Sequence, residues 1–250
     1  MPDGPGATRE RTELNQVERL VGWLARRIAD ARAEGAVVGL SGGVDSALVA
    51  HLLARAAPGR VLGLLMPCHS DPADEASGRL AGESAGIAVE RVDLGPAYDA
   101  LVAILPAGEG PRAELARANV KPRLRMLTLY HYAALRRALV VGTGNRSELA
   151  VGYFTKYGDG GVDLLPLGRL TKTEVWELAR EVGVPSSIIE RPPSAGLWSG
   201  QTDEGEMGLT YQDLDAVLRG ERVSEPVARR VRELQQRSAH KRSLPPMPPE

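Results

Sequence analysis

Hydrophobic positions along the chain follow two alternating patterns. Short apolar runs, typical of strands buried on both faces, cover 36–40 and 60–66, and two further strands are predicted over 87–94 and 139–141. Segments with apolar residues at helical spacing, typical of amphipathic helices, cover 14–28, 47–57, 74–86, 97–105, 112–137, 211–219 and 223–237. Strands that alternate with helices in this way indicate an α/β fold with a doubly wound parallel sheet flanked by helices.

The same patterns predict a single domain over 12–242, because no internal repeat or change of composition separates a second unit. The polar, glycine-rich and proline-rich stretch 1–11 and the proline-rich stretch 243–250 are expected to be flexible tails. Gly35 is expected to cap the end of the first helix. Pro122 is expected to kink the long helix over 112–137, and Arg125 to lie on its solvated face.

The stretch AVVGLSGGVDSALVA, residues 36–50, joins a strand to a helix through a turn with paired glycines. Such a turn lets backbone N–H groups converge on a ligand, and the helix N-terminus adds partial positive charge, so the loop is suited to phosphate. Its spacing is neither that of a Walker loop nor that of a dinucleotide fingerprint. Asp45 indicates a Mg²⁺ ion beside the phosphates. The alternative is that Ser41, Asp45 and Ser46 are only helix caps.

A second turn of this kind, GTGNRSE at 142–148, follows the last predicted strand. In a parallel sheet both turns would lie beyond the carboxyl ends of the strands, where ligands bind. Glu148 could therefore share a Mg²⁺ ion with Asp45, or it could simply favour a helix N-terminus.

Two loops and one helix start carry further candidate chemistry. Residues 152–163 combine glycines with aromatic residues, a lysine and two aspartates, and residues 192–208 form a long polar stretch with the composition of a mobile lid. Lys172 follows Thr171, which forms a predicted capping box with Glu174. A lysine at a helix N-terminus opposes the helix dipole, so Lys172 is expected to face an anion.

Composition excludes several classes of protein. The chain has 250 residues, a net charge of −1 and 43% hydrophobic residues, with no apolar run long enough for a membrane helix and no leader-like N-terminus. A cytoplasmic protein that binds no nucleic acid and no membrane is expected. Cys68 is the single cysteine, so no disulfide framework is available. Lysine occurs only at Lys121, Lys156, Lys172 and Lys241, either by chance or because these sites need a compact charge.

Four segments together resemble the ammonia-dependent NAD⁺ synthetases, within the wider group of ATP pyrophosphatases that share the Ser-Gly-Gly-x-Asp-Ser loop. These segments are NVKPRLRM at 119–126, GTGNRSELAVGYFTKYGDGGVDLLPLGRLTK at 142–172, PPSAGLWSGQTDE at 192–204 and HKR at 240–242. The resemblance implies a five-stranded parallel sheet of the adenine nucleotide alpha hydrolase type, in a homodimer that binds the dinucleotide at the subunit interface. It also implies that ATP adenylates the carboxylate of deamido-NAD⁺, releasing pyrophosphate, and that ammonia then displaces AMP.

Carried over by position, the resemblance assigns roles to individual residues. ATP would contact Gly39, Leu40, Ser41, Gly42, Gly43, Val44, Asp45, Ser46, Thr143, Lys172 and Ser194. Asp45 and Glu148 would bind Mg²⁺ and, with Asp159 and Lys172, form the catalytic set. Deamido-NAD⁺ would contact Arg123, Lys156, Asp163, His240 and Lys241, the last two from the partner subunit. Asp159 is expected to position ammonium and take its proton.

The sequence also bears on the nitrogen source and leaves two alternative functions open. No glutamine amidotransferase domain is recognised, so free ammonia or a separate glutaminase is expected to supply nitrogen. One alternative is an ATP pyrophosphatase that adenylates another carboxylate or a tRNA base, although the chain shows no added basic segment. The other is an inactive nucleotide-binding regulator, which predicts loss of the charged residues that are retained here.

Overall fold

A parallel sheet organises the described part of the chain, which comprises residues 5–198 and 200–248 of this computed structural model, with side chains from residue 16 onward. Within these residues the sheet has four strands, in the order β3-β2-β1-β4. The strands are β1 (Gly35–Gly39), β2 (Val61–Leu65), β3 (Ala88–Arg91) and β4 (Ala138–Val141). The chain builds outward from β1 to β3 and then returns to the other side of β1. The strand order therefore reverses between β1 and β4, which is where such sheets bind ligands.

Helices cover both faces of the sheet. In chain order they are α1 (Pro5–Asp30), α2 (Val44–Ala56), α3 (Pro72–Ala85), α4 (Gly95–Ile104), α5 (Gly110–Ala118), α6 (Val120–Arg136), α7 (Arg146–Val151), α8 (Lys172–Val182), α9 (Ser186–Ile189), α10 (Asp203–Met207), α11 (Tyr211–Arg219) and α12 (Glu225–Arg237). The short 3₁₀ helix Ala239–Lys241 follows. None of the helices in the described residues has the length and apolarity needed to cross a membrane.

The core lies on both faces of β1. Val38 packs with α1, α2 and α8 on one face, whereas Val37 packs with β2, β4, α4 and α6 on the other. Successive side chains of a strand point to opposite faces, so a strand buried on both sides must be apolar throughout, as this run is. A smaller apolar cluster joins α7, α10, α11 and α12.

The predicted fifth strand is reduced to a single bridge. Leu164 forms one parallel bridge with Val141, and the carboxylate of Asp163 accepts a hydrogen bond from the backbone N–H of Val140 at 2.8 Å. Pro166 follows two residues later and has no N–H to donate, so pairing cannot extend. The prediction of five strands was therefore wrong by one strand, although the backbone N–H of Val140 at this edge of the sheet still has a hydrogen-bond partner.

Local predictions about three segments also need correction. The long helix predicted over 112–137 is two helices, α5 and α6, that meet at Asn119, and Pro122 lies in the first turn of α6, where proline is tolerated. The first helix begins at Pro5, so 5–11 are helical rather than part of a tail, while 1–4 lie outside the described residues. Gly35 is not a helix cap but the first residue of β1.

Close contact between two chain segments explains the glycine at position 35. A Cβ atom built on Gly35 would lie 2.1 Å from the carbonyl oxygen of Arg60, at the entrance to β2. We expect Gly35→Ala to lower the free energy of unfolding by about 1–3 kcal/mol, because backbone must move to accommodate the methyl group.

Urea denaturation of Gly35→Ala and Gly22→Ala tests this expectation. In Gly22→Ala, a Cβ within α1 would meet nothing closer than the flexible Arg26 guanidinium at 3.4 Å. That control should gain about 0.5–1 kcal/mol from helix propensity. Equal stability changes in the two variants would contradict the close-contact explanation.

Candidate active site

A cavity of about 480 Å³ opens beyond the carboxyl ends of β1 and β4. The predicted site residues that line it are Gly39, Leu40, Ser41, Gly42, Gly43, Val44, Asp45, Thr143, Glu148, Asp159, Lys172, Ser194 and Lys241. The strand reversal between β1 and β4 separates the loops that leave these strands, and this separation creates the space. The two glycine turns predicted from the sequence therefore face one cavity.

The glycine turn after β1 has the geometry of a close backbone approach. Gly42 has a φ of 82°, and a Cβ at this position would lie 2.5 Å from the carbonyl oxygen of Asp74, so the turn requires glycine. Ser46 does not line the cavity. Its hydroxyl accepts from the N–H of Ser41 at 3.2 Å and donates to the carbonyl of Gly43 at 2.9 Å. Ser46 therefore shapes the turn from within.

Three charged side chains from three elements meet at the base of the cavity. Lys172, at the start of α8, is 2% exposed; its ammonium forms an ion pair with the carboxylate of Asp45 and lies 3.8 Å from Oε1 of Glu148. The side-chain amide of Asn145 donates to Oδ1 of Asp45 at 2.9 Å. Glu148 also accepts from the N–H of Asn145 at 3.1 Å, completing a capping box for α7. The prediction that Lys172 faces an anion is confirmed.

Burial and mutual repulsion determine the protonation of these groups. Burial, followed by the negative charge of Asp45, raises the pKa of Glu148 to about 8. Burial alone would lower the pKa of Lys172, but the charges of Asp45 and Glu148 outweigh it and raise that pKa above its ordinary value. A second cation bound beside Asp45 and Glu148 would lower the pKa of Glu148 and so favour its ionised form.

Several residues that support Lys172 were not predicted. The hydroxyl of Ser147 accepts from the N–H of Lys172 at 3.0 Å and donates to the buried carboxylate of Asp215. Asp215 also accepts from the N–H of Thr173 at 2.8 Å. The ring of Tyr211 lies 5.1 Å from the ammonium of Lys172. Asp215 and Tyr211 belong to α11, whose sequence shows only an ordinary amphipathic helix, so no local signal marked them.

The segment predicted as a lid forms one wall of the cavity. Arg191 donates to Asp74 at 2.7 Å, and the ammonium of Lys121 donates to the carbonyl of Leu197 at 2.8 Å. Further along, Gln201 donates to Glu206 at 2.6 Å. These bonds hold the segment across the cavity, while Ser199 lies outside the described residues.

Of the four basic residues predicted to bind the dinucleotide, one lines the cavity and three lie outside its lining. Lys241 was expected to reach the cavity of a partner subunit, but it lines the cavity of its own chain and donates to the carbonyl of Phe154 at 2.6 Å. Arg123, Lys156 and His240 lie together outside the cavity lining: Arg123 donates to the carbonyl of Lys156 at 3.3 Å, and Lys156 donates to that of His240 at 2.6 Å. We call these three residues the basic rim.

Three other polar residues complete the comparison with prediction. Asp163 does not line the cavity, because its carboxylate holds the edge of β4 and accepts from the hydroxyl of Tyr130 at 3.0 Å. Arg125 is not on a solvated face: it lines the cavity and donates to the carbonyl of Met66 at 3.2 Å. Asp159 lines the cavity, is exposed to it, and accepts from the N–H of Thr155 at 2.9 Å.

Similarity to known proteins extends along almost the whole chain. The model of the NAD synthase family matches residues 16–245. The NH(3)-dependent NAD(+) synthetase of Carboxydothermus hydrogenoformans is 52% identical over 234 residues, which cover 93% of this chain and 96% of that protein.

Two solved structures agree in fold. NMN synthetase from Francisella tularensis superposes with a TM-score of 0.90 at 39% identity and covers 94% of this chain and 98% of its own. NH3-dependent NAD synthetase from Campylobacter jejuni, solved with the nitrate ion, has a TM-score of 0.79 at 27% identity and covers 95% and 99%.

The raised pKa of Glu148 predicts a pH dependence of stability when divalent cations are chelated. The carboxyl keeps its proton in the folded protein up to about pH 8 but loses it near the ordinary value of 4.5 in the unfolded chain. Between these values the folded state binds more protons, so the contribution of Glu148 to stability falls as the pH rises. The variant Glu148→Gln lacks this titration. Its free energy of unfolding should therefore rise relative to that of the unmodified protein as the pH is raised through this range. If urea denaturation gives the same pH dependence of the free energy of unfolding for both proteins, the raised pKa assigned to Glu148 is contradicted.

Proposed function

The chain belongs to the NAD synthase family, and from that premise we propose how its cavity carries out the ATP-dependent amidation of deamido-NAD⁺ to NAD⁺ with ammonia. The carboxylate of deamido-NAD⁺ attacks the α-phosphate of ATP and pyrophosphate leaves. Ammonia then displaces AMP from the adenylated intermediate and forms the carbon–nitrogen bond. The observation that carries the proposed residue roles is the convergence of Asp45, Glu148 and Lys172 beside the glycine turn at the switch between β1 and β4.

The glycine turn and the start of α2 hold the phosphates of ATP. Residues of this turn line the cavity, and α2 begins there, so its partial positive charge favours phosphate at the turn. Lys172 contacts the phosphates from the opposite side, and Thr143 and Ser194 provide neighbouring hydroxyl groups. Charge that develops on the leaving pyrophosphate is stabilised by these fixed donors. Ser46 acts indirectly, because it orients Ser41 and Gly43.

The residues present fit a Mg²⁺ ion bound to Asp45 and Glu148. Within the described residues no group of three or more candidate metal ligands occurs. Mg²⁺ commonly uses only one or two carboxylates, together with substrate phosphates and water. The raised pKa of Glu148 supports this proposal, because two neighbouring carboxylates face a single buried ammonium and would both ionise beside another cation. The ion would supply charge neutralisation at the phosphates.

The basic rim and Lys241 bind deamido-NAD⁺ in this proposal. Lys241 is positioned for the part of the dinucleotide inside the cavity. Arg123, Lys156 and His240 lie outside the lining, where a partner subunit in a homodimer would complete the site. Asp163 acts only indirectly, because its carboxylate holds the edge of β4. A cytoplasmic location also stays a prediction.

Asp159 attracts ammonium into the cavity in this proposal. Its side chain lines the cavity, and its Oδ1 atom accepts from the N–H of Thr155 at 2.9 Å. Free ammonia, or ammonia from a separate glutaminase, is the nitrogen source. The curated relative with 52% identity is described as NH(3)-dependent.

A mononucleotide acceptor is a second candidate, favoured by one comparison. The structure with a TM-score of 0.90 is that of an NMN synthetase. NMN is the nicotinamide mononucleotide half of NAD⁺, so amidation of the corresponding acid would use the same adenylation chemistry without the adenosine half. Contacts from the basic rim would then decide between the two acceptors.

Purified protein with ATP, Mg²⁺, ammonium and either acceptor tests the function. With deamido-NAD⁺ we expect NAD⁺, AMP and pyrophosphate in equal amounts, and no NAD⁺ when glutamine replaces ammonium. A higher kcat/KM with nicotinic acid mononucleotide would favour the second candidate. Absence of acceptor-dependent AMP with both substrates would contradict the assignment to this reaction.

Asp45→Asn tests the charged centre while keeping the size of the side chain. Loss of the carboxylate removes the partner of Lys172 and one proposed Mg²⁺ ligand, so we expect kcat for acceptor-dependent pyrophosphate release to fall at least about 100-fold. Asp99→Asn, an exposed carboxylate that contacts His69, is the matched control and should leave this rate unchanged. Similar rates in both variants would show that Asp45 is dispensable.

A further inference from the structure

An arginine lies beside the glycine turn after β1, and the sequence analysis assigned it no role. Arg191 immediately precedes the segment that was predicted as a lid, and its side chain lines the cavity. A Cβ atom built on Gly42 would lie 3.2 Å from Nη1 of Arg191. The guanidinium is therefore next to the turn that is proposed to hold the phosphates of ATP.

The guanidinium of Arg191 keeps most of its hydrogen-bond donors free. Its Nη2 atom donates to Oδ1 of Asp74 at 2.7 Å, and this is its one hydrogen bond to a group in the described part of the chain. A guanidinium carries five N–H donors in a planar fork, so donors remain for an anion. The side chain is 34% exposed, so a ligand in the cavity can reach it.

Arg191 differs from the other cationic residues that line the cavity within the described chain, which are Arg125, Lys172 and Lys241. Lys172 is buried in its ion pair at the base of the cavity. Arg125 and Lys241 each donate to two oxygen atoms of other segments. The ion pair of Arg191 with Asp74 is partly exposed on both sides, and such pairs contribute little to stability. Arg191 can therefore direct donors to a phosphate at small cost.

The chemistry of the leaving group calls for a cation at this position. The glycine turn offers backbone donors, and the start of α2 offers only a partial positive charge. Arginine adds a full charge and can bind phosphate oxygens through two parallel N–H donors. Ser194, which is proposed to contact ATP, follows three residues later in the same wall of the cavity. Arg191 and Ser194 would thus reach the same phosphates from one side.

We propose that Arg191 binds the β- and γ-phosphates of ATP through the N–H groups that Asp74 leaves free, and that it stabilises pyrophosphate as it leaves. This inference rests on the proposed function. When the carboxylate of deamido-NAD⁺ attacks the α-phosphorus, the bond from that phosphorus to the oxygen bridging to the β-phosphate breaks, and its electron pair goes to pyrophosphate. Arg191 donates hydrogen bonds to this developing charge.

ATP and AMP together isolate the contact with the β- and γ-phosphates. Without an acceptor the proposed reaction cannot start, so calorimetry with Mg²⁺ present gives the Kd of each nucleotide. Arg191→Met should weaken ATP binding about 10–100-fold, the loss expected for hydrogen bonds to a charged group. The Kd of AMP, which lacks these two phosphates, should stay unchanged. Arg191→Lys keeps the charge but not the planar fork, so its ATP affinity should be intermediate.

Two further variants distinguish phosphate binding from a tether that only holds the wall of the cavity. Asp74→Asn breaks the same ion pair but keeps the guanidinium, so it should weaken ATP binding far less than Arg191→Met. Arg232→Met removes an exposed arginine that pairs with Glu225 at 2.6 Å on α12, away from the cavity lining. This matched control should leave both Kd values unchanged.

The possible results separate the proposal from the function on which it rests. An ATP affinity of Arg191→Met close to that of the unmodified protein would refute the proposal. Equal losses of ATP affinity in Arg191→Met and Asp74→Asn, or an equal loss of AMP affinity, would also refute it, because they would show that Arg191 only holds the wall in place. If the unmodified protein binds ATP no more tightly than AMP, the phosphate site of the proposed function is contradicted instead.

Discussion

The buried ammonium of Lys172 is the interaction on which the site depends. A charge removed from water must be paired, and breaking such a pair by removal of one partner costs about 3–5 kcal/mol. Here the pairing joins the turn after β1, the turn after β4 and the start of α8, because these elements supply Asp45, Glu148 and Lys172. One electrostatic requirement therefore positions three separate parts of the chain around the phosphate-binding turn. The same ammonium is available to substrate phosphates.

The sheet makes this convergence possible. Reversal of the strand order between β1 and β4 opens the space between their loops, and glycines at the turn allow close backbone approach. The helices α10 and α11 then support the site through Asp203, which lines the cavity and accepts from Tyr211, and through Asp215. The acidic groups exceed the buried ammonium in number, and this imbalance underlies the proposed metal contacts.

Local sequence patterns predicted the features of the structure that are determined by residues close together in the chain. The turn at Gly42, the capping box of Thr171 and Glu174, and the cavity positions of Asp45 and Glu148 follow from short motifs and from the shared edge of a parallel sheet. Contacts between distant segments were not predictable in this way. Arg125 is drawn from a helix surface to the carbonyl of Met66, 59 positions away.

Tertiary context also explains the misjudged elements. The fifth strand ends at a single bridge because proline follows, and the side-chain carboxylate of Asp163 accepts from the N–H of Val140 where a strand would use a backbone carbonyl. The hydrogen bond from Tyr211 to Asp203 has no sequence signal, since it results from the packing of α10 against α11. The roles proposed for the basic rim depend on a partner subunit and stay predictions.

Transfer of oxygen from the substrate carboxylate tests the central chemistry most directly. Deamido-NAD⁺ labelled with heavy oxygen in its carboxylate is converted with unlabelled ATP and ammonium, and the products are analysed by mass spectrometry. Attack of the carboxylate on the α-phosphate predicts one labelled oxygen in AMP, one in the amide of NAD⁺ and none in pyrophosphate. Label in pyrophosphate, or unlabelled AMP, would contradict the adenylation mechanism proposed for this cavity.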